Sequence, residues 1–260
     1  MKKGLQNAFL CFICFFQLNV VFAQTQYTLS LTPVKLHFAG ERDEAFSPLL
    51  YDGIGASSAL ALERKGQKTT SILHATGGAH LLNNRFGGQL NTFFGALNFS
   101  HFFHARSDTS SRFQLGFSNR NSYYARRFSR MNNFNGRFDY LTTFGPALRF
   151  QYPFLFLGKN WEIDAVAHAQ LIGFFITSGF VRSSPDEANG SIGFSEFWDA
   201  ANLFHPFNGT QIWLSPALKY PIKNNNALSL SYEFEFTRLH KDYQVERSVG
   251  AWMLNLLIVL

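Results

Sequence analysis

The chain has 260 residues, of which 31 are Phe; aromatic residues make up 17% and charged residues only 15%, with a formal net charge of +6. Setting Lys2 and Lys3 apart leaves 21 basic residues against 17 acidic, or +4, which is too mild a balance for a nucleic-acid partner. Both cysteines, Cys11 and Cys14, lie in the same N-terminal stretch, so residues 24–260 can form neither disulfides nor thiolate metal sites.

From the N-terminus, Lys2 and Lys3 precede a mostly apolar run from Leu5 to Phe22, which exits through Val21-Phe22-Ala23 before Gln24. That layout predicts a secretory signal peptide over 1–23, cleaved after Ala23, and one folded unit over 24–260. Gln6, Asn7, Gln17 and Asn19 shorten the apolar core and argue against a membrane helix there. No later run is apolar for long enough to cross a membrane as a helix. An exported chain this rich in aromatics, without spanning helices, is expected to be a closed β-barrel, in which every backbone N–H and C=O pairs with an adjoining strand.

Strict alternation supports that expectation. Phe113, Leu115 and Phe117 oppose Gln114, Gly116 and Ser118. Between 135 and 152, Phe138, Tyr140, Phe144, Leu148, Phe150 and Tyr152 share one face, and Arg137, Asp139, Arg149 and Gln151 share the other. Trp161, Ile163 and the alanines after them oppose Glu162, Asp164, His168 and Gln170; Ile212, Leu214 and Leu218 oppose Gln211 and Lys219; Leu228, Leu230, Tyr232, Phe234 and Phe236 oppose Ser229, Ser231, Glu233 and Glu235.

The fold class read from this is all-β, an antiparallel transmembrane barrel of about ten strands, with eight to twelve admissible. The predicted strands are 26–38, 52–64, 68–82, 88–105, 111–119, 134–152, 160–180, 209–222, 226–239 and 248–260, with Pro33 at a bend or free edge of the first. Connections after even strands are read as short. Those after odd strands are read as long (39–51, 120–133, 182–208 and 240–247), except 83–87. Such asymmetry is that of periplasmic turns and extracellular loops.

The last predicted strand carries Trp252, Leu254, Leu256, Ile258 and Leu260 on one face. In this it resembles outer-membrane β-barrel proteins, whose final strand bears a hydrophobic insertion signal, although Leu260 stands where an aromatic residue is usual. Phe22-Ala23-Gln24 and the segment Phe46-Ser47-Pro48-Leu49-Leu50-Tyr51 are similar to those of uncharacterised Bacteroidota barrels. The resemblance implies the outer membrane of a Gram-negative bacterium, outer-membrane lipid and lipopolysaccharide as surroundings, and envelope-complex proteins as partners. It brings no defined activity.

Two groups stand out as site candidates. Arg137, Asp139, Arg149, Glu162, Asp164, His168, Lys219, Glu233 and Glu235 fall on the interior faces. There they form either a structural network of ion pairs or a polar path for a small solute, because bare interior charges cost several kcal/mol each. Arg120, Arg126, Arg127 and Arg130 are read as an extracellular basic loop suited to lipid A phosphates or acidic polysaccharide, or simply to anchoring in lipopolysaccharide.

Catalytic candidates are weaker. Ser100 and His101 are adjacent on a strand and so point to opposite faces. Asp186, Glu187, Asp199, His205, His240 and Asp242 lie in loops without diagnostic spacing. No metal or cofactor motif is present. The expected role is therefore a non-enzymatic structural, accessory or surface-binding barrel with a narrow or plugged lumen. The alternatives are a narrow channel and a hydrolase at the rim or lipid face.

Overall fold

The computed structural model describes residues 25–44, 47–104, 112–128, 137–177, 201–240 and 244–260. The signal peptide read over 1–23, Arg130, and the loop carboxylates Asp186, Glu187, Asp199 and Asp242 lie outside them. The elements are β1 (Gln26–Asp43), β2 (Ser47–Lys65), β3 (Thr69–Asn83), β4 (Gln89–His104), β5 (Arg112–Phe128), β6 (Arg137–Phe156), β7 (Lys159–Gln170), β8 (Ile172–Thr177), β9 (Asn202–Phe204), β10 (Gly209–Pro221), β11 (Ala227–His240) and β12 (Gln244–Val259), with one 3-10 turn at Lys223–Asn225.

Every described pairing between these strands is antiparallel, and the sheet closes on itself. Strands β1 to β6 pair in chain order, β6 pairs with both β7 and β8, β7 pairs with β10, and β10, β11 and β12 lead back to β1. β7 and β8 are one wall strand interrupted at Leu171, whose N–H donates to the Phe144 carbonyl at 3.0 Å. β9 and β10 are likewise one wall strand, interrupted by a turn at 205–208 in which the Asn208 side chain accepts from the His205 N–H at 2.9 Å. The cylinder therefore has ten strands. Closure removes the free edges that lipid could not satisfy.

The alternation read from the sequence sorts the side chains as a membrane barrel requires. Leu36, Phe38, Ile54, Leu81, Phe93 and Leu254 face outward and stand 57–63% exposed. Two stacked sheets would instead bury them against each other. Strands β1 to β6 run for 15–20 residues, whereas crossing the hydrocarbon takes about 9–11. Their ends therefore project beyond it.

That projection corrects the predicted boundaries. The connection 39–51 shrinks to 44–46 because β1 continues through Ala39, Glu41 and Asp43 and β2 begins at Ser47. β5 runs to Phe128 rather than stopping at 119, and β12 begins at Gln244. Above the lipid the outward positions of β1 and β12 turn polar (Arg42, Glu246). On β5 the outward Asn119 and Asn121 interrupt the apolar face, with Asn121 donating to Asn119 at 2.9 Å and Asn119 to the Thr143 carbonyl at 3.0 Å. Both faces therefore look hydrophilic and the sequence reads as loop. At the opposite end β6 continues to Phe156 and turns through Leu157 and Gly158, at φ 49° and 72°. Positive φ at both central residues of a two-residue turn matches the hand of a twisted hairpin.

Pro33 is neither at a free edge nor in regular strand. β1 pairs on both sides, and the register shifts around Pro33 and Val34 against β2 and β12 alike. This bulge accommodates the missing N–H.

Candidate functional site: the barrel interior

The end bearing the connections 44–46, 84–88 and 241–243 is the upper end here. Near it, β1, β5, β6 and β12 send inward the carboxylates Glu41, Asp43 and Asp139 and the guanidinium groups Arg126, Arg137 and Arg247. Arg126 binds Asp43 and Asp139 and lies 3.2 Å from Glu41; Arg137 reaches Asp43 at 2.9 Å. Arg247 bridges Glu41 at 3.2 Å and Asp139 at 3.4 Å, with its guanidinium 3.5 Å above the Tyr124 ring. Three cations face three anions. Flanking them are two buried apolar clusters, Ala39, Tyr51, Leu82, Leu90 and Phe128 on one side, and Leu141, Phe175, Phe204, Leu239 and Val245 on the other.

Midway down, Arg120 pairs with Glu235 at 2.5 Å, and Glu235 also accepts from the Tyr124 hydroxyl at 3.1 Å. Lys35 pairs with Glu233 at 3.0 Å. His37 meets Ser57 at 2.7 Å and His80 at 3.1 Å, while His168 lies between Ser100 at 3.1 Å and Asn98 at 3.3 Å, stacked on Trp213.

Toward the lower end, Arg149 grips two carboxylates through paired hydrogen bonds. Its Nε and Nη2 donate to Asp164 at 3.0 and 2.7 Å, and its Nη1 and Nη2 donate to Glu63 at 3.0 and 3.1 Å. Lys219 then binds Asp164 at 2.6 Å and Glu162 at 2.8 Å.

Many of these pairs join strands that are not neighbours in the wall. Arg149 on β6 reaches β2, Arg120 on β5 reaches β11, Arg126 on β5 reaches β1, and Arg247 on β12 reaches β6. Such contacts cross the lumen. Lys35, Arg126, Asp139, Arg149 and Arg247 are each at most 2% exposed, so a water-sized sphere barely touches any of them. A ten-stranded cylinder is narrow enough for side chains to do this.

All nine residues read as interior charges or polar groups point into the lumen, and each meets a partner there. The basic-loop reading is corrected: Arg120, Arg126 and Arg127 stand on β5 itself. Arg120 and Arg126 turn inward, 3% and 1% exposed, and only Arg127 faces out. Alternation past residue 119 carried that signal, but polar outward neighbours such as Asn119 and Asn121 obscured it. Lys35, Glu41, Asp43, Glu63 and Arg247, central to the network, were missed. The Lys35-Leu36-His37-Phe38 alternation would have found the first of them, and extending it through Gly40 and Arg42 the next two.

Ser100 and His101 do face opposite ways, yet each finds another partner. Ser100 meets His168 inside, and His101 meets Ser71 at 2.9 Å on the outer wall, between Phe103 and Phe117. A Ser–His hydrogen bond can activate a nucleophile. Ser100 and His168, however, are 2% and 3% exposed, which leaves no room for a substrate, and both ring nitrogens of His168 are already engaged. Backbone N–H groups in the paired strands around both sites serve the ladder rather than an oxyanion. His205 accepts the Phe207 N–H of its own turn at 3.3 Å. Among the described residues no cluster of three or more His, Cys, Asp or Glu could hold a metal ion.

No protein-family model matches the chain, and no curated protein matches its sequence. Among solved structures, the outer membrane protease OmpT from Escherichia coli is similar over 94% of this chain and 99% of its own, at 10% identity and a TM-score of 0.53. Neisserial surface protein A covers 91% and 99% at 7% identity and a TM-score of 0.40, and the β domain of the Bordetella autotransporter BrkA covers 91% and 99% at 10% and 0.39. At 10% identity the likeness to OmpT is one of fold, and the fold it supports is the antiparallel β-barrel.

Proposed function

We propose that this chain is a sealed, non-enzymatic barrel of a Gram-negative outer membrane, with a structural, accessory or surface-binding role rather than a conducting or hydrolytic one. The observation that carries this reading is the set of ion pairs strung across the lumen. A pore needs interior charges that stay hydrated and spaced so that a solute can pass. Here the charges are paired with one another at three levels, and the guanidinium groups lie across the path. Outer-membrane lipid and lipopolysaccharide form its surroundings, and envelope proteins are its partners.

Export through a signal peptide over 1–23 belongs to the same proposal, as does kinship with Bacteroidota barrels. N-terminal sequencing of the protein recovered from membranes should begin at Gln24.

The test is conductance of the purified protein in planar bilayers, alongside hydrolysis assays on peptide and phospholipid. A silent bilayer and no turnover are expected. Unitary conductance that changes on Arg149→Gln would establish the narrow channel instead, and turnover abolished by His101→Ala or His205→Ala would establish the hydrolase.

A further inference from the structure

Arg126 and Arg127 are consecutive and have opposite fates. Arg126 turns inward to three carboxylates. Arg127 faces out at the upper end of β5, and among the described residues it makes no ion pair; its cross-strand neighbour on β4 is Asn91. It stands where the outward face changes from apolar to polar. Below it on the same face come Ala125 and Tyr123, at two-residue steps.

Ala125 pairs with Phe93 on one side and Phe138 on the other, so a methyl group floors a groove with an aromatic wall on each flank. Tyr123 stacks on Phe138, with ring centroids 6.1 Å apart, and closes the lower part of that wall. The resulting open cavity is about 320 Å³ and is lined by Phe93, Tyr123, Ala125, Phe138 and Arg127 among others. From Tyr123 to Arg127 the groove runs roughly 13 Å along the strand.

We propose that this groove is a specific site for a phosphate-bearing glycolipid of the outer leaflet. One acyl chain would lie over Ala125 between Phe93 and Phe138, with a phosphate on the Arg127 guanidinium. The inference rests on the reading of the outer wall as lipid-facing. A planar guanidinium donates two parallel hydrogen bonds to phosphate oxygens. The aromatic walls supply apolar area at the depth where acyl chains begin. Charge and shape together select an anionic amphiphile: a free phosphate would leave the groove empty, and a neutral lipid would leave the guanidinium unmatched.

The full chain would be placed in phosphatidylcholine nanodiscs containing a small fraction of bisphosphorylated lipid A. Retained lipid would be counted by native mass spectrometry after release, with dephosphorylated lipid A as the parallel probe. One phosphorylated lipid A should stay bound. Retention should weaken about tenfold in Arg127→Gln, for the loss of a charge-assisted pair, and vanish in Ala125→Trp, which fills the groove. Arg238→Gln, a change at an outward arginine on β11, should leave it unaltered. Heat-modifiable migration of each variant checks that the barrel has formed. Equal retention in wild type, Arg127→Gln and Ala125→Trp would overturn the site, and so would equal retention of the dephosphorylated lipid. A chain that fails to enter the discs at all would overturn the membrane reading and the groove with it, a result distinguishable from an inserted chain indifferent to lipid A.

Discussion

Replacing Arg149 by Met removes the crossbar of the lower lumen while keeping an unbranched apolar stem. Arg149 is 2% exposed and makes four hydrogen bonds, two to Asp164 and two to Glu63. The two carboxylates are not left in the same condition. Asp164 keeps Lys219 at 2.6 Å, whereas the ion pair of Glu63 is to Arg149 alone among the described residues. One orphaned interior carboxylate costs about 3–5 kcal/mol. The Glu63 side chain is 24% exposed, so the lower end, about 3 kcal/mol, is the expected loss. Adding Glu63→Gln to Arg149→Met should recover most of it, because removing both partners of a buried pair is often nearly neutral. The assay is reversible urea unfolding in lipid vesicles, followed by tryptophan fluorescence and completed as a double-mutant cycle. A loss under about 1 kcal/mol in the single variant, or no recovery in the double, would refute the crossing ion pair, since surface pairs behave that way.

Lys35→Met should cost a similar amount in the same assay, about 3–5 kcal/mol, because Lys35 is fully buried against Glu233 and leaves that carboxylate unpaired. Leu157 holds a left-handed conformation at φ 49° ahead of Gly158. Leu157→Asn should therefore stabilise the β6–β7 hairpin by roughly 0.5–1 kcal/mol, read as a raised urea midpoint. Trp252 faces outward at 51% exposure, while Trp213 stacks on His168 inside. In single-tryptophan variants, bromine-labelled lipid should quench Trp252 strongly and leave Trp213 almost untouched.

The sequence made the barrel legible where one face was apolar and the other polar, as on β6, β10 and β11, because lipid and lumen impose opposite chemistry on successive residues. Legibility failed at the strand ends. Once β1 and β12 rise above the hydrocarbon, outward positions such as Arg42 and Glu246 no longer need to be apolar, and on β5 Asn119 and Asn121 interrupt the outward apolar face; a stretch polar on both sides resembles a loop. The interior network was legible by residue type but not by partner. Alternation puts Arg149 inside and Asp164 across its hairpin. Which distant strand supplies Glu63 depends on barrel closure, register and stagger, none of which is written locally. Arg126 and Arg127 show the same limit, since adjacent identical residues differ only in the face they occupy.

Residues 24–260 contain no cysteine, so single cysteines placed in turn along β11 from Leu228 to Thr237 can each carry a spin label. Accessibility to oxygen and to a water-soluble nickel chelate would then be measured in bilayers. The expected profile has a period of two: high oxygen accessibility at Leu228, Leu230, Tyr232, Phe234 and Phe236, and low accessibility to both reagents at Ser229, Ser231, Glu233, Glu235 and Thr237. Nickel reaching the second set would show an open, water-filled lumen, and a profile without the two-residue period would show that this strand does not separate lipid from a packed interior.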